Sequence, residues 1–329
     1  MGKVKSINPN IQEIAQEANV STATVSRVFN KHPYVSEETR LKVMAAAQKF
    51  GYAPSVVSSK YLFGILTGDV NGYLFNPYSN NIVHSISRYI SEAGYNVQLF
   101  SRKQFPYILK KTFGGVIVFN SDEAKFFKDK GIPVVLINNP TEGFYNVYTD
   151  HQESLRIAVE HLYSLGHRNI AYIASTSNAW GSLERIIGYK NALSNLAIPF
   201  NPNNLRYLAS SVAEAVELLK NLMETSKPTA IIVEGEGRGV LIDYALKSFN
   251  IKVPEDISLI TFENSETSKF MYPQHTTVCQ DFEELGKGAA QLLIELTTQP
   301  KKAASLSKMN VYHNHLIVRE SCQTIFFFC

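Results

Sequence analysis

Cysteine is almost missing from this chain of 329 residues. The three present, Cys279, Cys322 and Cys329, form an odd set with no close pair, which excludes a disulfide framework and zinc-ligand spacing. Long apolar runs are absent as well. No stretch approaches the roughly 20 residues of a membrane helix, and no apolar run follows a basic start as a secretory signal would require. These absences set the expectation of a protein working in a reducing cytoplasm. The usual catalytic signatures are lacking too: there is no Gly-x-Ser-x-Gly elbow, no His-Glu-x-x-His and no carboxylate pair. An enzyme, a cofactor and a metal are therefore not expected. His313 and His315 are expected to alternate on a late strand, but they lack further ligands and are read as structural.

Net charge is also scarce, only +3, but its distribution is informative. Residues 1–60 carry eight basic and four acidic side chains, a net of +4, while the remainder sums to −1. The positive excess lies at the N-terminal end, where a polyanion would be held.

That same segment contains NIQEIAQEANVSTATVSRVFN, residues 10–30. Ile11, Ile14, Ala15 and Ala18 fall on one helical face over 11–18. Asn19 suits the positive φ of a tight turn, and Ser21 is a good N-cap for a second helix over 22–29, from which Val25 and Val28 point inward. A third helix is expected from Ser36, with Glu37 and Glu38 at its positive end, to about Phe50, stopped by Gly51. Two short helices across a tight turn, the second with a polar, Arg-bearing face, are the plan of a helix-turn-helix DNA reader. Thr22 and Ala23 open the second helix and Arg27 lies one turn on. These positions meet base edges, where threonine or alanine fits a thymine methyl and arginine forks onto guanine. Thr24, Ser26, Asn30 and Lys31 are placed for phosphate oxygens.

Beyond Pro54 the pattern changes. From Phe63 onward, apolar strand-like runs at 63–66, 96–100, 115–119, 133–137, 169–174, 229–233 and 258–262 alternate with helical stretches at 80–93, 122–130, 151–164, 182–196, 212–225, 239–248 and 283–297. That alternation implies parallel sheets with right-handed crossovers, and the length calls for two of them. The last residues, SCQTIFFFC, read as a terminal strand or a packed tail. The loop at 234–239, EGEGRG, follows a strand and precedes a helix, yet its glycine spacing fits neither the dinucleotide fingerprint nor the P-loop.

The N-terminal motif resembles the lactose/galactose repressor family of bacterial transcriptional regulators. The resemblance is carried by Ile14-Ala15, Ala18, Val20-Ser21, Thr24-Val25-Ser26-Arg27-Val28 and Asn30, then Val35 to Arg40, then Gly51-Tyr52 with Pro54. In the body it is carried by Asn76-Pro77-Tyr78, Val134 to Ile137, Glu160-His161-Leu162, Leu165 to Arg168, Arg185 with Gly188-Tyr189, Val253 to Ser258, Thr276 to Val278, Gln280-Asp281-Phe282 and Val318 to Ser321. It spans residues 10 to 321.

The implied fold class is α/β: an N-terminal all-α helix-turn-helix headpiece (1–54), a short hinge (55–62), and a two-lobed, periplasmic-binding-protein-like core of parallel sheets (63–321). The chain would cross between the lobes three times. Lobe 1 would take about 63–165 and 279–309, and lobe 2 about 166–278 and 310–321, leaving 322–329 as an apolar tail. The resemblance implies a homodimer on a near-palindromic double-stranded operator, with a carbohydrate effector bound between the lobes and no membrane partner. Carried over position by position, it places Asn76, Tyr78, Arg185, Gln280 and Phe282 in the cleft, with Tyr207 as a stacking aromatic. Glu236 would stand where the family has an aspartate that takes ligand hydroxyls, and Gly235 where it has an asparagine. Trp180, in the loop before Arg185, would line the cleft or cap it, and Asp150-His151 would be a strand-end turn at a lobe contact. The hinge departs from the family: its usual arginine is Ser59 and its usual leucine is Tyr61, so that Tyr61 or Leu62 would be the minor-groove wedge. The rival readings are an α/β enzyme, a solute receptor without DNA regulation, and a family member whose hinge and ligand response have decayed.

Overall fold

The computed structural model describes residues 11–29, 34–50, 62–67, 77–104, 113–235, 237–262 and 267–325. The headpiece helices are α1 (Ile11–Glu17), α2 (Thr22–Phe29) and α3 (Glu37–Lys49). Asn19 reverses the chain between the first two with φ of 51°. The hydroxyls of Ser21 and Ser36 accept from the backbone N–H groups of Thr24 and Thr39, three residues on, so each helix start has a partner for an otherwise orphaned donor. Ile14, Ala15, Ala18, Val25, Val28, Val43, Ala46 and Ala47 share one small core. Their spacing of three and four residues turns one face of every helix inward, and that packing stabilises helices too short to persist alone.

The body contains two six-stranded sheets. The first has the order β11-β5-β4-β3-β1-β2. Its strands are β1 (Leu62–Leu66), β2 (Asn96–Phe100), β3 (Gly115–Val118), β4 (Val134–Ile137), β5 (Tyr145–Thr149) and β11 (Met309–Tyr312), and all pair in parallel. The second has the order β12-β10-β9-β8-β6-β7. It comprises β6 (Ile170–Ser175), β7 (Leu205–Leu208), β8 (Ala230–Val233), β9 (Ser258–Thr261), β10 (Thr276–Cys279) and β12 (His315–Ile317). Here β12 runs antiparallel to β10, so this sheet is mixed rather than wholly parallel. The central strands GVIV, VVLI, AIIV and SLIT are buried along their whole length, as helices on both faces require. Those helices are α4 (Pro77–Glu92), α5 (Ser121–Lys128), α6 (His151–Ser164), α7 (Trp180–Asn195), α8 (Val212–Thr225), α9 (Arg238–Ser248), α10 (Thr267–Phe270) and α11 (Phe282–Thr298).

The chain passes between the sheets three times, but not at the expected boundaries. Leu155, Ala158, Val159 and Leu162 of α6 pack into the core of the second lobe, so the first passage falls at 149–151 rather than at 165. The second lies between β10 and α11, whose Leu285, Ala289 and Leu293 pack into the first lobe. The third lies at 312–315, because β11 pairs with β5 through Tyr312 and keeps residues 310–312 in lobe 1. His313 and His315 consequently do not share a strand: His315 opens β12, and His313 lies in the connection before it. The tail follows lobe 2 as far as Ile325, whose N–H donates to the Leu165 carbonyl at 2.8 Å. Residues 326–329 lie outside the described residues.

Helix α7 crosses α6 at close range. A Cβ added at Gly188 would fall 2.6 Å from both Cα and O of Gln152, backbone atoms that cannot move aside cheaply. Gly188→Ala is expected to cost roughly 1–3 kcal/mol, read as a fall of several degrees in the thermal midpoint. A second expectation concerns Glu123, buried on α5. Burial pushes its carboxyl up to about 7, against an opposing pull from Arg102. The native state therefore holds this proton more tightly than the unfolded chain, and its contribution to stability declines as pH rises from the ordinary glutamate range through about 7. Glu123→Gln should raise the melting temperature at pH 8 more than at pH 5 in paired thermal scans.

Candidate DNA-reading helix and effector cleft

On α2 the buried residues are Val25 and Val28, whereas Thr22, Ala23 and Arg27 are exposed and Thr24 and Ser26 are half-buried. The exposed face carries two methyl groups and one hydroxyl at the start of the helix and a guanidinium in its last turn, a set of groups suited to base edges. The hydroxyl of Thr24 shares a hydrogen bond with that of Ser21 at 2.9 Å, so this side chain also braces the turn that aims the helix. Asn30, Lys31 and Tyr61 lie outside the described residues. Leu62 opens β1 and pairs in register with Asn96, which commits it to the sheet.

The cleft follows from strand order. In the second sheet the chain goes from β6 outward to β7, then returns to β8 on the other side of β6. Ligands of open α/β sheets bind where this reversal leaves a crevice at the carboxyl ends of the strands. Ser175 ends β6 and Glu234 follows β8 at that crevice, and Phe262 follows the neighbouring β9. Helix α7, entered directly from β6, brings Ser182 and Arg185 to the same place.

These residues form one buried cluster. Arg185 is 8% exposed and Glu234 is 2% exposed, and Nη1 of the first lies 3.0 Å from Oε1 of the second. Ser182 donates to Oε1 at 2.7 Å. Tyr172 donates to Oε2 at 2.5 Å, and the Ser175 N–H to the same oxygen at 3.3 Å. The guanidinium carbon stands 5.2 Å from the Phe262 ring centroid. Burial by itself would raise the Glu234 carboxyl; the Arg185 charge and the three other donors outweigh it and hold the group below the usual range. Burial and the neighbouring Glu234 push the Tyr172 phenol well up, so it remains a donor.

Behind the pair, Arg238 folds back. Its Nε donates to the carbonyls of Leu208 and Ala209, both at 2.8 Å, and Nη2 reaches the Ser175 hydroxyl at 3.1 Å. Gly235 turns beside it with φ of +83°, and a Cβ there would collide with the Arg238 guanidinium. Arg238 is thus held at the ends of β6 and β7 with Gly235 beside it.

Across the cleft, the Tyr78 hydroxyl bonds with the Asn138 amide. The Tyr78 ring meets Phe282 edge-on at 5.5 Å, and Gln280 and Phe282 are buried at the second passage. At the first passage Asp150 caps α6 by accepting from Glu153 N at 2.9 Å. His151 is packed 5.3 Å from the Trp180 ring, which also meets Tyr148 of the first lobe at 5.7 Å. Burial, then the nearby Arg185 charge, hold His151 neutral. Trp180 lines a side groove of about 580 Å³ together with Tyr148, His151, Gln152 and Glu184. Of the expected cleft residues, Tyr207 lies on edge strand β7 with its side chain exposed, and Asn76 and Glu236 lie outside the described residues. The acid that meets Arg185 is Glu234, which the sequence reading passed over. An ionisable residue directly after the buried run AIIV was the available signal, since a buried acid requires partners.

Comparison with known proteins agrees with both halves. Residues 10–55 match the model for bacterial regulatory proteins of the lacI family, and residues 159–322 match the periplasmic binding protein-like domain. The HTH-type transcriptional repressor PurR of Aliivibrio fischeri is 28% identical, over 87% of this chain and 90% of that protein. Catabolite control protein A of Priestia megaterium is 28% identical, over 92% and 97%. Among solved structures, the regulator CelR in complex with cellobiose superposes with a TM-score of 0.70 at 25% identity, covering 95% of this chain and 99% of that one. The Lac repressor dimer bound to operator and an anti-inducer shares the fold, with a TM-score of 0.79 at 24% identity over 96% and 99%.

The chain belongs to the lacI family of bacterial regulatory proteins. It is a DNA-binding transcriptional regulator that answers to a small molecule, not an enzyme. No helix among the described residues is long and apolar enough to cross a membrane.

The carboxylate cluster generates a pH-dependent expectation. Tyr172→Phe removes one donor from buried Glu234, at roughly 1–3 kcal/mol near neutrality. A carboxyl held below its unfolded value contributes stability above that value and loses it as pH falls through the folded one. With one donor fewer the folded value rises, so the acid limb of the melting-temperature profile should move to higher pH in Tyr172→Phe.

Proposed function

We propose that the chain is a cytoplasmic repressor that binds a near-palindromic operator as a homodimer and is controlled by a sugar or glycoside held between its lobes. The observation that carries the DNA half is the division of α2, apolar inward, with Thr22 and Ala23 outward at its start and Arg27 outward one turn on. Thr22 and Ala23 read base edges and Arg27 forks onto a guanine. Thr24, Ser26, Asn30 and Lys31 hold phosphate oxygens and set register. With Leu62 committed to β1, Tyr61 is the wedge left for the minor groove.

The sugar half is supported by the mixture of groups at the cleft. Arg185 supplies fork-like donors, and Phe262, Phe282 and Tyr78 supply aromatic surface. Gln280 lies at a passage between lobes, and the side chain of Tyr207 on β7 stands exposed. Asn76 and Glu236 complete the proposed set. The cellobiose complex of a relative with the same fold favours a carbohydrate over other small molecules. The two lobes, joined by three passages, act as one closing unit, and a coupling of about 1–3 kcal/mol between cleft and headpiece suffices for a useful change in operator occupancy.

A gel shift on DNA upstream of this gene and its neighbours, with and without a panel of sugars, tests the reading. Wild type should give specific, salt-sensitive binding that a sugar modulates. Arg27→Ala should lose at least tenfold in specific affinity while retaining weak non-specific binding. An unchanged footprint in Arg27→Ala would overturn the assignment of α2.

A further inference from the structure

We propose that Glu234 sets the charge class of the effector: it neutralises Arg185 from within the protein, so the cleft selects an uncharged, oxygen-rich ligand and discriminates against its acidic counterpart. The inference rests on the cleft being the effector site. It follows from counting donors and acceptors. An ionised carboxylate offers about four lone-pair sites. Tyr172, Ser175, Ser182 and Arg185 supply four donors, two on each oxygen. Glu234 is therefore saturated and does not serve as an acceptor for ligand hydroxyls.

Arg185 is the complementary case. A guanidinium carries five N–H donors, and Nη1 points at Glu234. Its Nε is buried with no hydrogen-bond partner among the described residues. The Phe262 ring fixes the guanidinium from one side. Its positive charge is compensated at 3.0 Å by Glu234 through Nη1, which leaves the Nε donor unused. His151 nearby is neutral, and Arg238 is turned toward the carbonyls of Leu208 and Ala209.

The pair thus combines an unused N–H donor with a compensated charge. A hydroxyl, ether or carbonyl oxygen is satisfied there without disturbing the pair. A carboxylate or phosphate on the ligand would either displace Glu234 from four donors or add a second negative charge beside it, and both are unfavourable. The sequence reading assigned hydroxyl capture to an acid at 236. The structure assigns the acid at 234 a different task, setting the charge of the arginine.

The test uses the full chain as wild type, as Glu234→Gln and as the doubly neutral Glu234→Gln with Arg185→Gln. Isothermal titration compares glucose with glucuronate and galactose with galacturonate, and thermal shift compares inorganic phosphate with chloride at matched ionic strength. Wild type should favour the neutral member of a pair at least tenfold and show no phosphate-specific shift. Glu234→Gln exposes the Arg185 charge and should gain at least tenfold affinity for the acids or for phosphate; the double variant should lose that gain. The inference is overturned if wild type takes a uronate as tightly as its neutral partner, or is saturably stabilised by phosphate. It is also overturned if folded Glu234→Gln gains no anion affinity. The wild-type measurements decide even if Glu234→Gln fails to fold, and the phosphate measurement decides even if no sugar in the panel is the effector. Operator gel shifts on the same proteins separate the two readings, because loss of operator binding by wild type defeats the regulator reading and leaves the charge preference untouched.

Discussion

Everything around the cleft is organised by one ion pair taken out of water. Burying a guanidinium and a carboxylate is costly unless each charge meets the other and the remaining donors and lone pairs are met as well. Glu234, the residue after β8, meets this in full by drawing on β6 with Tyr172 and Ser175 and on the start of α7 with Ser182 and Arg185, whereas Arg185 keeps a buried Nε with no partner among the described residues. The neighbourhood is constrained in turn. Gly235 must turn sharply there, and Arg238 ties β7 to β6 from behind. Such a pair contributes uniqueness of geometry more than net stability, and a cleft that must recognise a particular small molecule depends on that geometry.

The second organising constraint is the passage of the chain between lobes. Because α6 starts directly after β5 of one sheet and packs on the other, His151, Trp180 and Tyr148 are brought together across the first passage. Beside the second passage Phe282 meets Tyr78 within the first lobe, and the Asn314 amide bonds with the Ser154 hydroxyl beside the third. These contacts lie at the pivot. A ligand that draws the lobes together works against short, aromatic-rich contacts, and interfaces of this kind favour discrete arrangements over continuous deformation.

Much of this was legible in residues alone. The headpiece could be read nearly to the residue because its signals are local: Asn19, Ser21 and Ser36 each act on a turn or a helix start within three positions. The long apolar runs GVIV, VVLI, AIIV and SLIT were legible as strands because burial on both faces removes polar alternation. The strands YNVYT, LRYL, TTVC and MNVY escaped, and HLI was expected only as part of a strand that also took in His313. They are short and polar or β-branched, and their strand character comes from neighbours distant in sequence. The lobe boundaries were misplaced for the same reason, since nothing within 151–164 announces which sheet its apolar face will cover. Glu234 was passed over because the resemblance directed attention to residue 236, which lies outside the described residues, whereas the partners of Glu234 come from elements distant in sequence.

The pairing of β11 with β5 joins residues 309–312 to 146–149, and that has a bearing on how the molecule comes into being. During synthesis the headpiece emerges complete and self-sufficient, with its own core. The first sheet stays open along β5 until the ribosome has delivered residues 309–312. A product cut short before residue 309 would leave that strand with a bare ladder of amides and carbonyls beside finished helices, a sticky edge of the kind that recruits other chains. Messages truncated late in this gene should therefore yield aggregates carrying an intact DNA reader, rather than soluble half-regulators competing for the operator.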